Sequence, residues 1–346
     1  MSKEQNSSEA LSVTADDVAK LAGVSRWTVN RAFKKDASIS EKSREKVKRA
    51  AAELGYLPDL LAASLSSDKS HLVALLIDDF ANPHKLAVLE VLTKTLRAHG
   101  WDSLLVSTSG EEDATNALMG ASQRRVDAAV MIGSGFNDET LNTALKSRRV
   151  RKLIIFLRES PLDNTLSICV DDKIAMGVVV DYVLQKGYRS PYFLAGPQTS
   201  SAHLSRKETF LTQWFEATGQ TVAFSSVASY DYQLAYDHIQ SHFADVGTAD
   251  LPDVIVCEND ALAMGTIDAI RYKLGLRVPE DIAVTGFDDV PQAAGPHYDL
   301  TTYKQPLDEM ANALINLLKG EKGKTDQASS DQTTRFCGKL VVRTSA

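Results

Sequence analysis

Cysteine and long apolar runs are both scarce in this sequence. Its three cysteines, Cys169, Cys257 and Cys337, are odd in number and far apart, and the first two lie in apolar, strand-like runs. That pattern argues against a disulfide framework or a metal site and predicts reduced thiols. No apolar run reaches the roughly 18 residues of a membrane-spanning helix, and the polar N-terminus lacks the apolar segment of a signal peptide. We therefore expect a soluble, cytoplasmic protein without a metal.

Motifs of the common enzyme classes are missing as well. The sequence contains no His-Glu-x-x-His pair, no Walker loop and no nucleophile elbow. The carboxylate pairs 171–172 and 288–289 are adjacent in sequence, so their side chains leave a strand end in different directions, which is poor geometry for acid–base catalysis. We expect neither catalytic activity nor a cofactor.

Positive charge is concentrated near the N-terminus. Between Lys20 and Arg49 the chain has ten basic and three acidic residues, whereas the whole chain of 346 residues carries a net charge of −7. A basic segment attached to an acidic body is typical of a nucleic-acid-binding head. A solvated helical surface would have the same composition.

The same segment has the pattern of three short helices. Good N-cap residues precede each helix, and glycines suited to a left-handed turn follow two of them. The caps are Thr14, Ser25 and Ser40, and the glycines are Gly23 and Gly55. Two helices joined by a glycine turn and braced by a third form a helix-turn-helix unit. We predict an all-α DNA-binding domain over residues 12–58, with its second helix running from Ser25 to about Phe33.

The second helix has an apolar side and a polar side. A step of about 100° per residue places the apolar residues together on the core side; these are Val29, Ala32 and Phe33. The opposite side, with Arg26 at its edge, consists of Trp27, Asn30 and Arg31. We expect Trp27 to be displayed to a partner, not buried.

These residues resemble a known family. The stretches VTADDVAKLAGVSRWTVNRAF and SREKVKRAAAELGYLP are similar, in order and spacing, to the head of the LacI–GalR transcription regulators. The resemblance implies that the second helix lies in the major groove of operator DNA, where an arginine fork can meet O6 and N7 of guanine. The residues implied to face bases are Arg26 and Trp27, which select the operator, Asn30, where serine is usual, and Arg31, which reads guanine. Phosphate contacts are implied for Thr14, Ser25 and Thr28.

Residues 59–70 are interpreted as a hinge. In the resembling family this connector inserts paired leucines into the minor groove, and Leu65 is at the matching position. Such a wedge lets the DNA bend. Asp59 and Ala63 depart from the family's pattern, and a plain linker with an incidental leucine is the alternative.

From His71 onward, short apolar runs alternate with amphipathic helical stretches. The predicted strands include Leu72–Ile77, Ser103–Ser107, Ala128–Ile132 and Leu153–Phe156, and helices are predicted near 84–98, 111–124 and 138–147. A second series begins at SICVDD and ends at DIAVTGFDD. The alternation predicts parallel sheets with crossover helices in two α/β lobes, with a cleft beyond the carboxyl ends of the strands. We assign residues 71–166 and 300–325 to lobe one and 167–299 to lobe two of an effector-binding and dimerisation core, 71–346.

The resemblance extends into this core. The stretches AGPQTSSAHLSRKETF, CENDALAMGTIDAIRYKLGLRVPEDIAVTGFDD and DLTTYKQPL look like the family's periplasmic-binding-protein-like effector core. Effector contacts are implied for Asp171, Arg206, Tyr232, Asn259 and Asp288. An arginine with two carboxylates suits a polyhydroxylated ligand, such as a sugar. Each of these residues could instead cap a helix or pair with a neighbour, Asn259 above all.

Lys85 is a departure from the family's pattern. Together with His84 it stands where two phenylalanines are common. We hypothesise that Lys85, with His84, accommodates an acidic group such as that of a sugar acid or a sugar phosphate.

The expected function is that of a homodimeric transcription repressor. Its partners would be double-stranded operator DNA and a small carbohydrate-like effector that changes the angle between the lobes. No leucine heptads follow the core, so a dimer is the simplest assembly. The alternative is a sugar-binding protein without operator-specific regulation, since the core also resembles periplasmic binding proteins.

Overall fold

The computed structural model describes residues 13–34, 37–58, 69–108, 111–133, 150–160, 162, 165–197, 204–320 and 332–346. Residues 1–70 and 71–346 form separate compact units. They are called the head and the core below. Within the described residues, no helix combines the length and the apolar character needed to cross a membrane.

The head consists of three helices, as predicted: α1 (Ala15–Ala22), α2 (Arg26–Ala32) and α3 (Glu41–Leu54). The predicted caps are confirmed, since Thr14, Ser25 and Ser40 each accept a hydrogen bond from the backbone three residues ahead. Gly23 and Gly55 end α1 and α3 with φ of 64° and 68°, a conformation that glycine adopts without a side-chain penalty.

The core of the head is formed by small apolar side chains. Val18, Val29 and Val47, one from each helix, are fully buried. The placement of Phe33 in this core is wrong: α2 ends at Ala32, and Phe33 is 37% exposed. Its ring packs at the edge of the head against Tyr56, with 5.9 Å between ring centroids.

The core unit contains two six-stranded sheets among its described residues. Its strands are β1 (Leu72–Ile77), β2 (Asp102–Ser107), β3 (Ala128–Ile132), β4 (Leu153–Phe156), β5 (Leu166–Val170), β6 (Pro191–Ala195), β7 (Ala223–Ser226), β8 (Val254–Cys257), β9 (Ala283–Asp288), β10 (Thr301–Lys304), β11 (Thr333–Phe336) and β12 (Lys339–Val341). The first sheet has the order β11-β5-β4-β3-β1-β2 and the second β12-β10-β9-β8-β6-β7. The pairs are parallel except β10 with β12, which is antiparallel.

Helices connect these strands. They are α4 (Pro83–Ala98), α5 (Glu111–Gln123), α6 (Asp172–Gln185), α7 (Arg206–Thr218), α8 (Tyr232–Phe243), α9 (Asp260–Tyr272) and α10 (Leu307–Lys319). The four strands predicted first are found within one residue of their expected bounds. β1, β3 and β4 are uninterrupted apolar runs, and β2 has an apolar centre between polar ends. The helix predicted near 138–147 lies outside the described residues.

The predicted lobe bounds differ from the structure at two strands. β5 pairs with β4 and β11 and so belongs to the first sheet, although residues 167–299 were assigned to lobe two. β10 pairs with β9 in the second sheet, although residues 300–325 were assigned to lobe one. The chain therefore crosses between the sheets after β5, after β10 and after β11. Strand pairing is a long-range property, so local periodicity did not locate these crossings.

Gly286 in β9 makes room for a buried carboxyl group. A Cβ atom at this position would overlap the Asp260 carboxylate and lie 3.0 Å from a methyl of Leu300. We expect Gly286→Ala to destabilise the core by about 1–3 kcal/mol, the usual cost of overpacking a close-packed interior, measured by thermal and urea unfolding of the full chain.

Gly120→Ala is the matched control. Gly120 lies inside α5, and a Cβ there would meet the flexible end of Arg124 at 3.3 Å. Alanine is the better helix former by about 1 kcal/mol, so this variant should unfold at or above the wild-type temperature. Equal stability of the two variants would show that the site around Gly286 relaxes freely.

Candidate functional site

The exposed side of α2 carries the residues predicted to face DNA. Trp27 is 64% exposed, which confirms that it is displayed, while Val29 on the opposite side is fully buried. Asn30, predicted on the same side as Trp27, is also exposed. Arg26 lies at the edge of this surface and pairs with Asp16 of α1 at 3.1 Å. A flat aromatic ring and polar side chains thus share one solvent-facing surface of a short helix.

Arg31 is held within the head. Its guanidinium carbon lies 4.4 Å from the centroid of the Trp27 ring, a cation–π distance. Its Nε and Nη2 atoms donate to the Ser38 carbonyl at 3.1 and 2.9 Å. Both N–H groups of Nη1 and the second N–H of Nη2 remain, so Arg31 can keep the Ser38 carbonyl while donating two hydrogen bonds elsewhere.

Two of the three residues predicted to contact phosphates cap helices, and the third bonds one of these caps. Thr14 caps α1, Ser25 caps α2, and the Ser25 and Thr28 hydroxyls lie 3.0 Å apart. Capping uses the hydroxyl oxygens as acceptors, so the hydroxyl hydrogens of Ser25 and Thr28 can still be donated between them or outward. Leu65, the predicted wedge, lies outside the described residues.

Arg44 of α3 has a structural role that was not predicted from the sequence. Its guanidinium donates to the carbonyls of Ala32, Lys34 and Ala37 at 2.8, 3.2 and 3.1 Å. These carbonyls lie at and beyond the end of α2, where a positive charge also complements the helix dipole. Arg44 thus fixes the turn that follows the exposed helix.

A cleft in the core gathers most of the residues predicted to bind an effector. It measures about 410 Å³, including space open to solvent. Its lining residues follow the carboxyl ends of strands from both sheets: Asn82, His84, Lys85, Gly133, Leu157, Arg158, Leu204, Arg206, Tyr230, Asn259, Asp288 and Gln305. Open α/β sheets generally bind ligands at this end.

Arg206, the first residue of α7, is a buried cation in this cleft. Its Nε donates to Asp172 at 3.2 Å and its Nη1 to the Glu258 carbonyl at 3.0 Å. The guanidinium also lies 3.5 Å from the centroid of the Phe287 ring. Burial lowers the pKa of Arg206, but the carboxylates of Asp172 and Asp288 outweigh it and raise that pKa overall. Arg206 is therefore a fixed positive charge.

Lys85 is a second buried cation. Its ammonium group pairs with Asp78, just beyond β1, and lies 3.9 Å from an oxygen of Asp79. Gly133 at the end of β3 permits this arrangement, because a Cβ there would overlap the Asp78 carboxylate. The glycine has a φ of 150°, which favours glycine over other residues. Gly133 therefore serves packing at the cleft.

Asp288, Gln305 and His84 form a buried chain of hydrogen bonds. The amide nitrogen of Gln305 is 2.7 Å from Asp288 Oδ1 and 3.1 Å from His84 Nε2. A carboxylate only accepts, so this nitrogen is the donor to both groups, and His84 must accept at Nε2. Burial lowers the pKa of His84, in agreement with a neutral ring whose proton is on Nδ1.

Two side-chain atoms of this hydrogen-bonded group of three residues have no hydrogen-bond partner among the described residues. They are His84 Nδ1, a donor in this tautomer, and the side-chain oxygen of Gln305. A buried polar atom left without a partner costs about 1–3 kcal/mol. Asp288 also has an uncommon backbone φ of 125°, and strained backbone of this kind is concentrated at functional sites.

Tyr230 and Arg158, which line the cleft, and Glu258, which bonds Tyr230 from behind the lining, were not predicted. Glu258 accepts hydrogen bonds from the Gly196 amide at 2.6 Å and the Tyr230 hydroxyl at 3.0 Å. Burial raises the pKa of Glu258, against the lowering effect of these bonds and of the nearby arginines. Arg158 is buried, with its guanidinium 5.6 Å from the Tyr230 ring. Its position directly after a predicted strand was the available signal.

Two predicted effector residues are placed elsewhere. Asp171 caps α6 by accepting from the Ile174 amide at 3.1 Å, and its neighbour Asp172 turns to Arg206 instead. The Tyr232 hydroxyl donates to Asp268 of α9 at 2.7 Å, and Tyr230 is the tyrosine that lines the cleft. Asp171 and Tyr232 lie at the starts of helices, and their side chains are committed to the helix end or to a neighbouring helix.

Asn259 has both of the roles considered. Its side chain caps α9 by accepting from the Leu262 amide at 3.0 Å. It also lines the cleft and is almost fully buried. The capping oxygen faces the helix, so the side-chain amide nitrogen is the group left for a ligand.

Comparisons with known proteins agree with this architecture. Residues 14–59 match the family described as bacterial regulatory proteins, lacI family, and residues 180–346 match the periplasmic binding protein-like domain. The ribose operon repressor of Escherichia coli (strain K12) is 28% identical over 309 residues, covering 88% of this chain and 92% of that protein. The probable HTH-type transcriptional repressor ExuR of Bacillus subtilis (strain 168) is 26% identical over 336 residues, covering 96% and 98%.

Solved structures share the fold. The Lac repressor dimer bound to operator and the anti-inducer ONPF has a TM-score of 0.79 at 23% identity, covering 96% of this chain and 99% of that one. The transcriptional regulator CelR–cellobiose complex has a TM-score of 0.67, also at 23% identity, covering 96% and 100%.

Head, core and relatives together define a DNA-binding regulator with a two-lobed, periplasmic-binding-protein-like core for an effector. The chain carries a DNA-binding head of the lacI family of bacterial regulatory proteins and a periplasmic binding protein-like domain, and the relatives it matches along most of their length are repressors. Members of this family are regulators, not enzymes, and the prediction of a non-catalytic protein is confirmed on that ground.

The buried neutral His84 makes stability depend on pH. The unfolded chain takes up a proton on this side chain below about pH 6.5, while burial lowers the pKa of His84 in the native state. The native state therefore loses stability relative to the unfolded chain as pH falls through this region. His84→Gln removes the titration, so its stability deficit relative to wild type should shrink between about pH 7.5 and about pH 5.5.

The measurement is the thermal unfolding midpoint of wild type and variant across that range. His99→Gln, which alters an exposed histidine at the end of the same helix α4, should follow the wild-type profile. A deficit for His84→Gln that is constant with pH would contradict a neutral, buried His84.

Proposed function

We propose that this regulator represses transcription from a pseudo-palindromic operator, which it binds as a homodimer. A small polyhydroxylated effector in the cleft changes its affinity for the operator. The proposal rests on one conjunction: a basic head that exposes Trp27, and a core cleft lined by buried charged and polar side chains, in the same chain. A cytoplasmic location is part of this proposal, because operator binding requires access to DNA in that compartment.

The relatives support each part of this proposal. The ribose and sucrose operon repressors are similar along most of their length. One structural neighbour is a dimer bound to operator, and others hold cellobiose or lactose. An effector that shifts operator affinity through two lobe arrangements has a coupling free energy of typically about 1–3 kcal/mol, or roughly 5- to 150-fold in affinity.

In this proposal the exposed side of α2 enters the major groove. Arg26, Trp27, Asn30 and Arg31 face bases, and Trp27 offers apolar contact such as a thymine methyl accepts. The residues proposed to contact phosphates are Thr14, Ser25 and Thr28, and Leu65 is the proposed minor-groove wedge.

On the effector side, hydroxyl groups are proposed to bond Asp288, Asn259 and the free side-chain oxygen of Gln305. Arg206 is the central donor and Tyr230 supplies an aromatic wall. Lys85 and Arg158 lie on the first-lobe side of the same cleft.

The test combines DNA binding with ligand binding. Purified full-length protein is first assayed by gel shift against the DNA upstream of its own gene, with unrelated DNA as competitor. A thermal-shift screen of sugars, polyols and sugar acids then identifies ligands, and each hit is returned to the gel shift. A specific shift that a ligand weakens or strengthens is the expected result. Ligand binding without any specific shift would identify a sugar-binding protein instead.

Base reading by Arg31 has a specific consequence. Arg31→Ala should reduce discrimination between operator and random DNA by about 1–3 kcal/mol, the contribution of a bidentate base contact. Lys48→Ala is the charge-matched control, since Lys48 lies exposed on α3. It should weaken binding to both DNAs similarly. Equal losses on both DNAs for Arg31→Ala would argue that Arg31 contacts phosphate or only holds Trp27 and Ser38.

A further inference from the structure

An ion pair joins the two helices that form the helix-turn-helix of the head. Nη1 of Arg26, the first residue of α2, donates to the Asp16 carboxylate of α1 at 3.1 Å. The two side chains are 66% and 63% exposed. Ion pairs with this much exposure contribute little to the free energy of unfolding. The pair of Asp16 and Arg26 therefore calls for an explanation other than stability.

The cap of α1 does not require Asp16. Its neighbour Asp17 closes the capping box, since the Asp17 carboxylate accepts from the amide and the hydroxyl of Thr14 at 2.9 and 2.7 Å. The negative charge of Asp16 complements the dipole of α1. It also lies beside a residue that is proposed to face DNA, where a carboxylate repels the phosphates of any sequence. Asp16 thus opposes overall DNA affinity while it holds Arg26.

The ion pair leaves most donors of Arg26 free. A guanidinium has five N–H groups in a rigid fork, and one of them is given to Asp16. Neither side chain has another hydrogen-bond or ionic partner among the described residues. Two donors are enough to meet O6 and N7 of guanine. Arg26 can therefore keep Asp16 and still contact a base with the rest of its fork.

Arg31, on the same side of α2, is anchored in a similar way. It donates to the Ser38 carbonyl and stacks on Trp27. Both arginines are thus held by acceptors of the head itself. Ordering a long, mobile side chain on binding weakens affinity by about 2- to 12-fold. A side chain that is already held avoids much of that loss, and it avoids it only for the base that its fixed donors fit.

We propose that Asp16 is a positioning residue for Arg26, which it holds so that the free donors select a guanine in the operator. The inference rests on the proposed contact between α2 and the major groove, and it adds a residue of α1 to that contact. Asp16 then has two separable effects on DNA binding. Its charge lowers affinity for DNA of any sequence, and its hold on Arg26 raises the preference for one base.

The test measures base preference in full-length variants. An operator selected from randomised DNA is substituted in turn at each base pair of one half-site, and dissociation constants are measured by fluorescence anisotropy at one salt concentration. For wild type we expect a G·C pair whose replacement weakens binding by about fivefold or more, an effect that is absent in Arg26→Ala. Asp16→Asn should lower the preference at that same pair by about twofold or more, while random DNA binds equally well or more tightly.

Two further variants separate positioning from charge. Glu45→Gln removes an exposed negative charge of α3 that has no ion pair among the described residues, so it should keep the base preference. In Arg26→Ala/Asp16→Asn, loss of the carboxylate should cause no further change in base preference relative to Arg26→Ala, because the residue that it positions is gone. Binding of random DNA by each variant reports that its head is folded.

The outcomes separate this inference from the proposed function. An undiminished preference in Asp16→Asn would overturn positioning by Asp16 while leaving operator binding through α2. An effect of Asp16→Asn that persists without Arg26 would also overturn it, because the carboxylate would then act on DNA directly. Wild-type protein that prefers no DNA sequence would overturn operator binding itself, and with it the proposed function.

Discussion

The cleft depends on buried charges that are held in place by opposite charges. Arg206 lies between Asp172 and Asp288, and Lys85 lies against Asp78. A charge removed from water is tolerated only when it is paired and hydrogen-bonded. Asp172 begins α6, Asp78 follows β1 and Asp288 ends β9, so the pairing fixes the cations to the ends of secondary-structure elements. Breaking one pair should therefore disturb the frame of the cleft as well as one contact. Such buried ion pairs add little to the free energy of unfolding, but they fix the positions of the charged side chains. A binding site needs fixed positions more than it needs added stability.

Several side chains of the head serve two purposes each. Thr14 and Ser25 cap helices whose exposed ends are also candidate DNA contacts, and Arg31 stacks on Trp27 while bonding the Ser38 carbonyl. Its apolar core of valines and alanines is small, as expected of a unit below about 70 residues. Because the apolar core of the head is small, the helix caps and the hydrogen bonds of Arg44 contribute more to holding α2 in place than they would in a larger domain. Substitutions on the DNA side should therefore be assessed for folding and binding together.

Local features of the fold and of the site could be predicted from the sequence, and long-range ones could not. The helix caps and glycine turns of the head follow from residue chemistry within four positions, and β1, β3 and β4 follow from uninterrupted apolar runs. The side of α2 that carries Trp27 follows from helical geometry. The sheet to which β5 or β10 belongs depends on partners far away in sequence, β11 among them, and no local pattern reports it.

In the candidate site, too, some residues could be predicted from the sequence and others could not. Arg206, Asn259 and Asp288 follow strands, where α/β clefts form, and Lys85 was singled out as a departure from the family's pattern; all four line the described cleft. Asp171 and Tyr232 do not line it, because each is committed to a helix cap or to a neighbouring helix, whereas Tyr230, two residues before Tyr232, does. Gln305 has an ordinary sequence context, and its importance comes from lying on the segment that crosses between lobes after β10.

The segment that crosses between the lobes after β10 shows how one ligand could contact both lobes. Gln305 bonds Asp288 at the end of β9 and His84 at the start of α4 through one amide nitrogen. A ligand shifts a conformational equilibrium only through the difference in its affinity for the two states. A molecule that bonds only the second-lobe wall would have the same contacts at any lobe angle and could not change operator affinity. An effector that contacts residues of both walls at once, such as His84 and Asp288, would have an affinity that depends on the separation of the walls. In the proposed function, this dependence couples the cleft to operator affinity.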